Sequence, residues 1–121
     1  MDVDRGYRVS MDNNAVLVST MNDVPGYKVV AVYGEVFGLI CRARNVFSNM
    51  GAGLRTVFGG EVAGYTQLLS DSREQAIERL RLAALERGAN AVLAMRFDCN
   101  EIGNVMSEIA AYGTAVRIEK I

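Results

Sequence analysis

The fold of this chain is decided by the stretch YTQLLSDSREQAIERLRLAALERG, residues 65–88, and by the two segments that follow it, residues 90–102 and 106–120. In the first stretch, apolar and small residues recur at spacings of three and four, as on one face of a helix. Arg87 and Gly88 supply a favourable helix end. The predicted inward stripe consists of Leu69, Ala76, Ile77, Leu80, Ala83 and Ala84.

The two following segments alternate between apolar and polar residues, which is the period of a β-strand. Gly103 and Asn104 lie between them and favour a tight turn, so the pair is predicted to form an antiparallel hairpin. The helix stripe is rich in alanine, and small side chains let a helix approach a sheet closely. We therefore expect the helix to lie across the strands.

A long strand is predicted over residues 27–42, after a turn at residues 23–26 and a short β-branched run at residues 15–20. This strand is apolar on both parities, so it requires cover on both faces. Strict alternation places one face on Val30, Val32, Val36 and Ile40. Gly34 and Gly38 are typical of a bulge, a bend or the close approach of another backbone.

A second, Gly-rich helix is predicted over residues 46–58, capped by Asn45 and ended by the glycine pair at residues 59–60. Gly51 and Gly53 each disfavour a helix by about 1 kcal/mol relative to alanine, so this helix is expected to be kinked or split. The same glycines do not match a phosphate-binding loop, because the spacing of the known glycine motifs is absent.

The composition indicates one domain. With 121 residues and 50% hydrophobic residues, the chain can bury a core without disulfides. Residues 1–14 are polar and aperiodic and are interpreted as a flexible N-terminal arm, which leaves residues 15–121 as a single domain. The formal net charge of −1 offers no basic surface for nucleic acid. No membrane span or secretion signal is predicted, so we expect a cytoplasmic protein.

The chain contains no histidine, which removes the side chain best suited to proton transfer near neutral pH. Its only lysines are Lys28 and Lys120, and neither lies in a Ser-x-x-Lys arrangement. No catalytic constellation is visible, and we expect a protein that is not an enzyme. Arg42, Arg44 and Arg55 flank the Gly-rich helix and are interpreted as residues for ion pairs between subunits or for anion binding.

Cys41 and Cys99 are the two cysteines, and they are 58 positions apart. In a reducing compartment they are expected to be small buried thiols, with a disulfide or a shared metal as the alternative. Asp98, Cys99 and Glu101 form the one mixed cluster of sulfur and oxygen ligands. Zinc favours four nitrogen or sulfur ligands, so a metal site would require symmetric copies to bring several cysteines together.

Several short motifs together resemble the YbjQ-like family of small bacterial and archaeal proteins, which also carries a heavy-metal-binding label. They occur in the family's order between residues 15 and 120: GEVFG at 34–38, ARN at 43–45, GGE at 59–61, GY at 64–65, GANAV at 88–92 and YGTAV at 112–116. The resemblance implies an α+β domain with a β-α-β-β core similar to dodecin-type subunits. It also implies a homo-oligomeric ring, most plausibly a homopentamer, and no established reaction.

Two functions follow as hypotheses. The first is an uncharacterised, non-enzymatic oligomeric protein that acts in binding or as a scaffold. Its site lies at subunit interfaces, and the sequence does not identify a small-molecule ligand. Here another copy would cover the face that carries Gly34 and Gly38, with the Gly-rich helix at the interface. The alternative is a metal-ion-binding protein that uses the thiolates of Cys41 or Cys99 from symmetric copies, assisted by Asp98 or Glu101.

Overall fold

The computed structural model describes residues 15–43, 57–58, 61–103 and 106–121. Within these residues the chain forms six strands and one helix, an α+β arrangement as the sequence predicts. The strands are β1 (Leu17–Val18), β2 (Tyr27–Ala43), β3 (Val57–Phe58), β4 (Glu61–Val62), β5 (Ala91–Ile102) and β6 (Met106–Lys120). The helix α1 (Ala63–Glu86) lies between β4 and β5 in the chain.

Four of the strands form a mixed sheet in the order β1-β5-β6-β2. β1 pairs with β5 in parallel, whereas β5 with β6 and β6 with β2 are antiparallel. The predicted hairpin is therefore confirmed, and β6 lies in the middle of the sheet. The 17-residue β2 lies at one edge. β3 and β4 form a separate two-stranded ribbon.

Helix α1 packs on one face of the sheet through four residues spaced four apart. Ser72, Ala76, Leu80 and Ala84 are all 0% exposed. The helix ends at the predicted place, because Gly88 has a φ of 86° and donates from its N–H to the Leu85 carbonyl at 2.9 Å. The inward stripe was predicted with two errors: Leu69 is 42% exposed, and the buried Ser72 was missed. Ser72 is polar, but its Oγ accepts a hydrogen bond from Arg42 Nε at 3.3 Å.

The helix approaches β2 at Gly38 more closely than any side chain would allow. A Cβ atom at this position would overlap the Ala76 carbonyl oxygen and would also contact the Leu80 amide nitrogen and the Arg79 carbonyl carbon. Gly34 lies at an irregularity of the β2–β6 register and has a φ of 95°. Both predicted roles of glycine, a bulge and a close backbone approach, are confirmed.

Two hydrophobic clusters lie on opposite sides of the sheet. The cluster under α1 contains residues of α1, β2, β5 and β6, among them Val36, Ile40 and Ile109. The cluster on the far side is smaller and lies at one end, where Val24 covers it. Its buried members are Val24, Ala91, Leu93, Val116 and Ile118, with Leu17 and Tyr27 packed against them. The far side of the sheet is therefore covered in part.

Three predictions are corrected here. Val57 and Phe58, assigned to the end of the Gly-rich helix, are strand residues paired with β4, and residues 46–56 of that predicted helix lie outside the described residues. The face that carries Gly38 was expected to be covered by another copy, but the chain's own helix covers it. Val32 also faces away from Val36, because the bulges in β2 shift the alternation of its side chains.

We predict that Gly38→Ala lowers the free energy of unfolding by about 3 kcal/mol. The added methyl group would overlap backbone atoms of α1, which cannot move aside as a side chain does by changing its rotamer. Urea unfolding at fixed protein concentration measures this loss. Gly26→Ala is the control: its surroundings are open within 4 Å, and its φ of 87° costs about 1 kcal/mol for a residue with a Cβ. Equal losses for the two variants would contradict the close packing of α1 on β2.

Candidate interaction surface

The side of β2 that faces away from α1 carries a row of apolar side chains. Since Gly38 faces the helix, its neighbours Phe37 and Leu39 point to the other side. Val29 and Val32 lie opposite Ile118 and Val116, which belong to the far-side cluster, so these two valines share that side. We call Val29, Val32, Phe37 and Leu39 the open face.

The open face is accessible along its whole length. Val29 is 43% exposed, Val32 67%, Phe37 53% and Leu39 45%. The ring of Phe37 packs against Tyr112 of β6 at a centroid distance of 6.1 Å and a tilt of 31°. An exposed row of large apolar side chains on a folded domain is typical of a surface that binds another molecule.

Charged residues of both signs surround the open face. Glu35 is exposed on β2 itself, and Asp98 lies opposite Ala110 of β6 on the same side of the sheet. Arg96 lies opposite Tyr112 and is held by hydrogen bonds that its NH1 donates to the carbonyls of Thr20 at 3.1 Å and Met95 at 2.8 Å. The surface thus has an apolar centre and a mixed polar rim, as protein interfaces do.

Two concave regions adjoin this architecture. A cavity of about 240 Å³ lies beside the far-side cluster, near Tyr27 at the start of β2. Its lining is Leu17, Ser19, Met21, Asp23, Val24, Pro25 and Tyr27. A groove of about 420 Å³ lies on the helix side, between α1 and β5. Its floor includes Ile77 and Phe97, and the Arg73 guanidinium lies 5.2 Å from the centre of the Phe97 ring.

The structure places the two thiols on opposite sides of the sheet. Cys41 lies opposite Glu108 and Cys99 opposite Ile109, and these consecutive residues of β6 point to different faces. Ile109 belongs to the cluster under α1, so Cys99 is on the helix side and Cys41 on the side of the open face. Both cysteines are free and exposed, so the expectation of buried thiols is wrong.

The four predicted ligands divide in the same way. Asp98 lies on the Cys41 side, opposite Ala110, whereas Glu101 lies on the Cys99 side, opposite Ser107. Among the described residues, no group of three or more cysteine or acidic side chains is placed to hold one metal ion. One copy therefore places Cys41 and Asp98 on one face, separated by β6, and Cys99 and Glu101 on the other face.

The arginines beside β2 have a role that the sequence did not indicate. Arg79 of α1 and Arg87, directly after α1, donate hydrogen bonds to carbonyl oxygens of β2, namely those of Leu39 at 2.6 Å and Tyr33 at 2.8 Å. Arg42, predicted for ion pairs or anions, binds Ser72 and the Gln75 Oε1 atom at 3.0 Å. Arg44 and Arg55 lie outside the described residues.

The profile of a family described as "Putative heavy-metal-binding", the YbjQ family, matches residues 16–119. The chain belongs to this family. The resemblance seen in the short motifs is therefore confirmed over nearly all of the domain.

Curated relatives share more than half of their residues with this chain. A UPF0145 protein of Acidothermus cellulolyticus is 52% identical over 106 residues, which cover 88% of this chain and 98% of the relative. The UPF0145 protein YjfJ of Lactococcus lactis is 54% identical, covering 88% and 97%, and a UPF0145 protein of Streptomyces griseus is 56% identical, covering 88% of each. These names state no activity, ligand or partner.

A solved structure has a similar fold. The crystal structure of a protein of unknown function from Pediococcus pentosaceus, assigned to the DUF74 family, matches with a TM-score of 0.52 and 13% identity. The match covers 86% of this chain and 98% of that protein. At this identity the likeness supports the fold alone. Among the described residues, no helix has the length and apolar character needed to cross a membrane.

We predict that Cys41 and Cys99 do not form a disulfide within one chain, because β6 lies between them and they occupy opposite faces. Purified protein is treated with diamide, digested without reduction and mapped by mass spectrometry. We expect cross-links between chains and no Cys41–Cys99 link within a chain. Protein mixed from isotopically light and heavy chains separates the two kinds, and a Cys41–Cys99 link with no mixed-isotope form would contradict the placement of the thiols.

Proposed function

We propose that this protein is a non-enzymatic, self-associating binding or scaffold protein, in which a second copy covers the open face and any ligand site lies where copies meet. The observation that carries this proposal is the exposure of Phe37 and Leu39 at 53% and 45%, beside a core that the chain otherwise buries well. Contact with another copy would remove these side chains from water, at a gain of roughly 25 cal/mol per Å² of apolar surface.

Charge favours another copy of this chain as the occupant. The rim of the open face includes the acidic Glu35 and Asp98 and the basic Arg96, and the whole chain has 13 basic and 14 acidic residues. A strongly acidic or basic partner would meet like charges on such a surface. A second copy brings the same balanced set, so that opposite charges can be paired across the interface.

A ring is consistent with the presence of two different apolar surfaces. A closed ring of identical copies joins one surface of each copy to a different surface of the next. The open face and the helix-side groove at Ile77 and Phe97 are two such surfaces on opposite sides of the sheet. We accordingly retain the dodecin-like homopentamer implied by the family resemblance, in the cytoplasm, as the assembly to test.

We predict that Phe37→Glu weakens self-association by roughly 30-fold or more, about 2 kcal/mol, because it places a carboxylate in the centre of the apolar face. Sedimentation velocity over a concentration series measures the shift toward the monomer. Leu82→Glu is the matched control, since Leu82 is also 53% exposed but lies on α1. A monomeric parent protein, or equal effects of the two substitutions, would contradict the proposal.

The second candidate function is metal-ion binding by thiolates from several copies. One observation favours it: Cys41 is exposed on the same side of the sheet as the open face, opposite Glu108, and Asp98 shares this side on the far side of β6. If two copies meet with their open faces toward each other, in place of the ring in which the open face meets the helix-side groove, their Cys41 thiolates approach one another. Soft thiolate ligands select ions such as zinc or copper(I).

For this candidate we predict that Cys41→Ser removes a stoichiometric metal while Cys99→Ser retains it, because only Cys41 shares a side with the open face. Elemental analysis of protein purified without an affinity tag measures the metal per chain. Each variant is also examined by sedimentation, so that loss of metal is separated from loss of assembly. Substoichiometric metal that is unchanged in both variants would exclude a thiolate site.

A further inference from the structure

Among the described strands, β2 has one edge that pairs with no other strand. β6 is its one partner among the described strands, and β2 is 17 residues long. A long edge strand presents unpaired backbone N–H and C=O groups, which act as a template for pairing with another chain. The exposed apolar side chains of β2 increase this hazard, because a strand that docked at the edge would also cover them.

Two arginines, Arg79 of α1 and Arg87 directly after α1, contact this edge on either side of the middle of β2. Arg79 NH1 donates to the Leu39 carbonyl at 2.6 Å, and Arg87 NH1 donates to the Tyr33 carbonyl at 2.8 Å. Both contacts are exposed, and among the described residues neither arginine forms an ion pair with a carboxylate. Each guanidinium thus satisfies a backbone acceptor of β2 and leaves its positive charge at the edge.

The N-terminal half of the edge is interrupted in another way. The register with β6 shifts between Val29 and Ala31 and again between Val32 and Gly34. Each irregularity breaks the regular spacing of backbone groups that an incoming strand needs, and it increases the local twist. Arg79 therefore binds within the regular portion of β2, residues 34–43, where the pairing with β6 runs without interruption, and Arg87 binds at Tyr33, next to its beginning.

We propose that Arg79 and Arg87 guard the free edge of β2 against pairing with a strand of another molecule. A strand that paired along the regular portion and past its beginning at Tyr33 would have to displace both guanidinium groups from their carbonyl acceptors and take their charges out of water. Copies of this chain then meet through the open face and not edge to edge. That consequence rests on the proposed self-association, whereas the guarding of the edge does not.

The test is the double substitution Arg79→Ala with Arg87→Ala, which leaves the two carbonyls of β2 without their donors. We expect species larger than the parent assembly, together with thioflavin T fluorescence, at a protein concentration at least about tenfold lower than for the parent protein, corresponding to about 1.4 kcal/mol. Sedimentation velocity and fluorescence are measured on the same concentration series, after circular dichroism confirms that the variant is folded.

The matched control is Arg73→Ala with Arg81→Ala on the other flank of the same helix. Arg73 packs over Phe97, and Arg81 donates to the Val16 carbonyl at 3.2 Å, so both lie away from β2. Both double variants change the net charge from −1 to −3, because each removes two positive charges. Equal growth of larger species in the two double variants would overturn the inference, as would a folded Arg79→Ala/Arg87→Ala protein that behaves like its parent.

The same pair of substitutions in a Phe37→Glu background separates this inference from the proposed function. Growth of larger species in that background supports the guarding of the edge even if the parent protein proves to be monomeric. If the double variant does not fold, Arg79→Ala and Arg87→Ala are examined singly by the same two measurements. Growth in either single variant then supports the inference, and growth in neither overturns it.

Discussion

The close approach of α1 to β2 at Gly38 is the contact on which the architecture depends. Because this position has no Cβ, the carbonyl of Ala76 lies directly against the strand. The small side chains of Ser72, Ala76 and Ala84 let the helix lie close to the sheet. This 24-residue helix therefore covers one face of the sheet. The apolar side chains on the other face of β2 are therefore not covered by α1.

The far side of the sheet shows how far the chain can meet this requirement alone. The segment before β2 brings Val24 over Leu93, Val116 and Ile118, and these residues are buried. That cover ends where Val29 and Val32 begin, and the exposed row continues to Leu39. The structure is thus a well-packed core with an uncovered apolar margin, and the margin lies along an edge strand. Self-association through the open face would cover these side chains, and Arg79 and Arg87 would protect the edge from pairing.

The sequence predicted the parts of the fold that depend on long, regular patterns. The helix, its end at Gly88, the hairpin of β5 and β6 and the special roles of Gly34 and Gly38 were all recognised, since each rests on periodicity or on the steric freedom of glycine. The burial of Ser72 could not be read from polarity, because its partner is Arg42, 30 positions away in the chain. Leu69 was placed inward by spacing, but it lines the open groove between α1 and β5 and is 42% exposed.

The errors in the candidate site have physical causes as well. Strict alternation assigned Val32 to the face of Val36, but each bulge inserts a residue and reverses the alternation beyond it. Cys41 and Cys99 were expected inside because cysteine is usually buried, yet both are exposed, Cys41 on the face away from α1 and Cys99 on the helix face toward the end of β5. The hydrogen bonds of Arg79 and Arg87 join helix and strand over 40 and 54 positions, and no local pattern records such contacts.

Native mass spectrometry of the untagged protein at micromolar concentration tests the central claim most directly. If a second copy covers the open face, the spectrum is dominated by a multiple of the 13.2 kDa chain, and its mass gives the number of copies. A spectrum that contains only the single chain, from protein that is folded by circular dichroism and remains single as its concentration rises, would contradict the account.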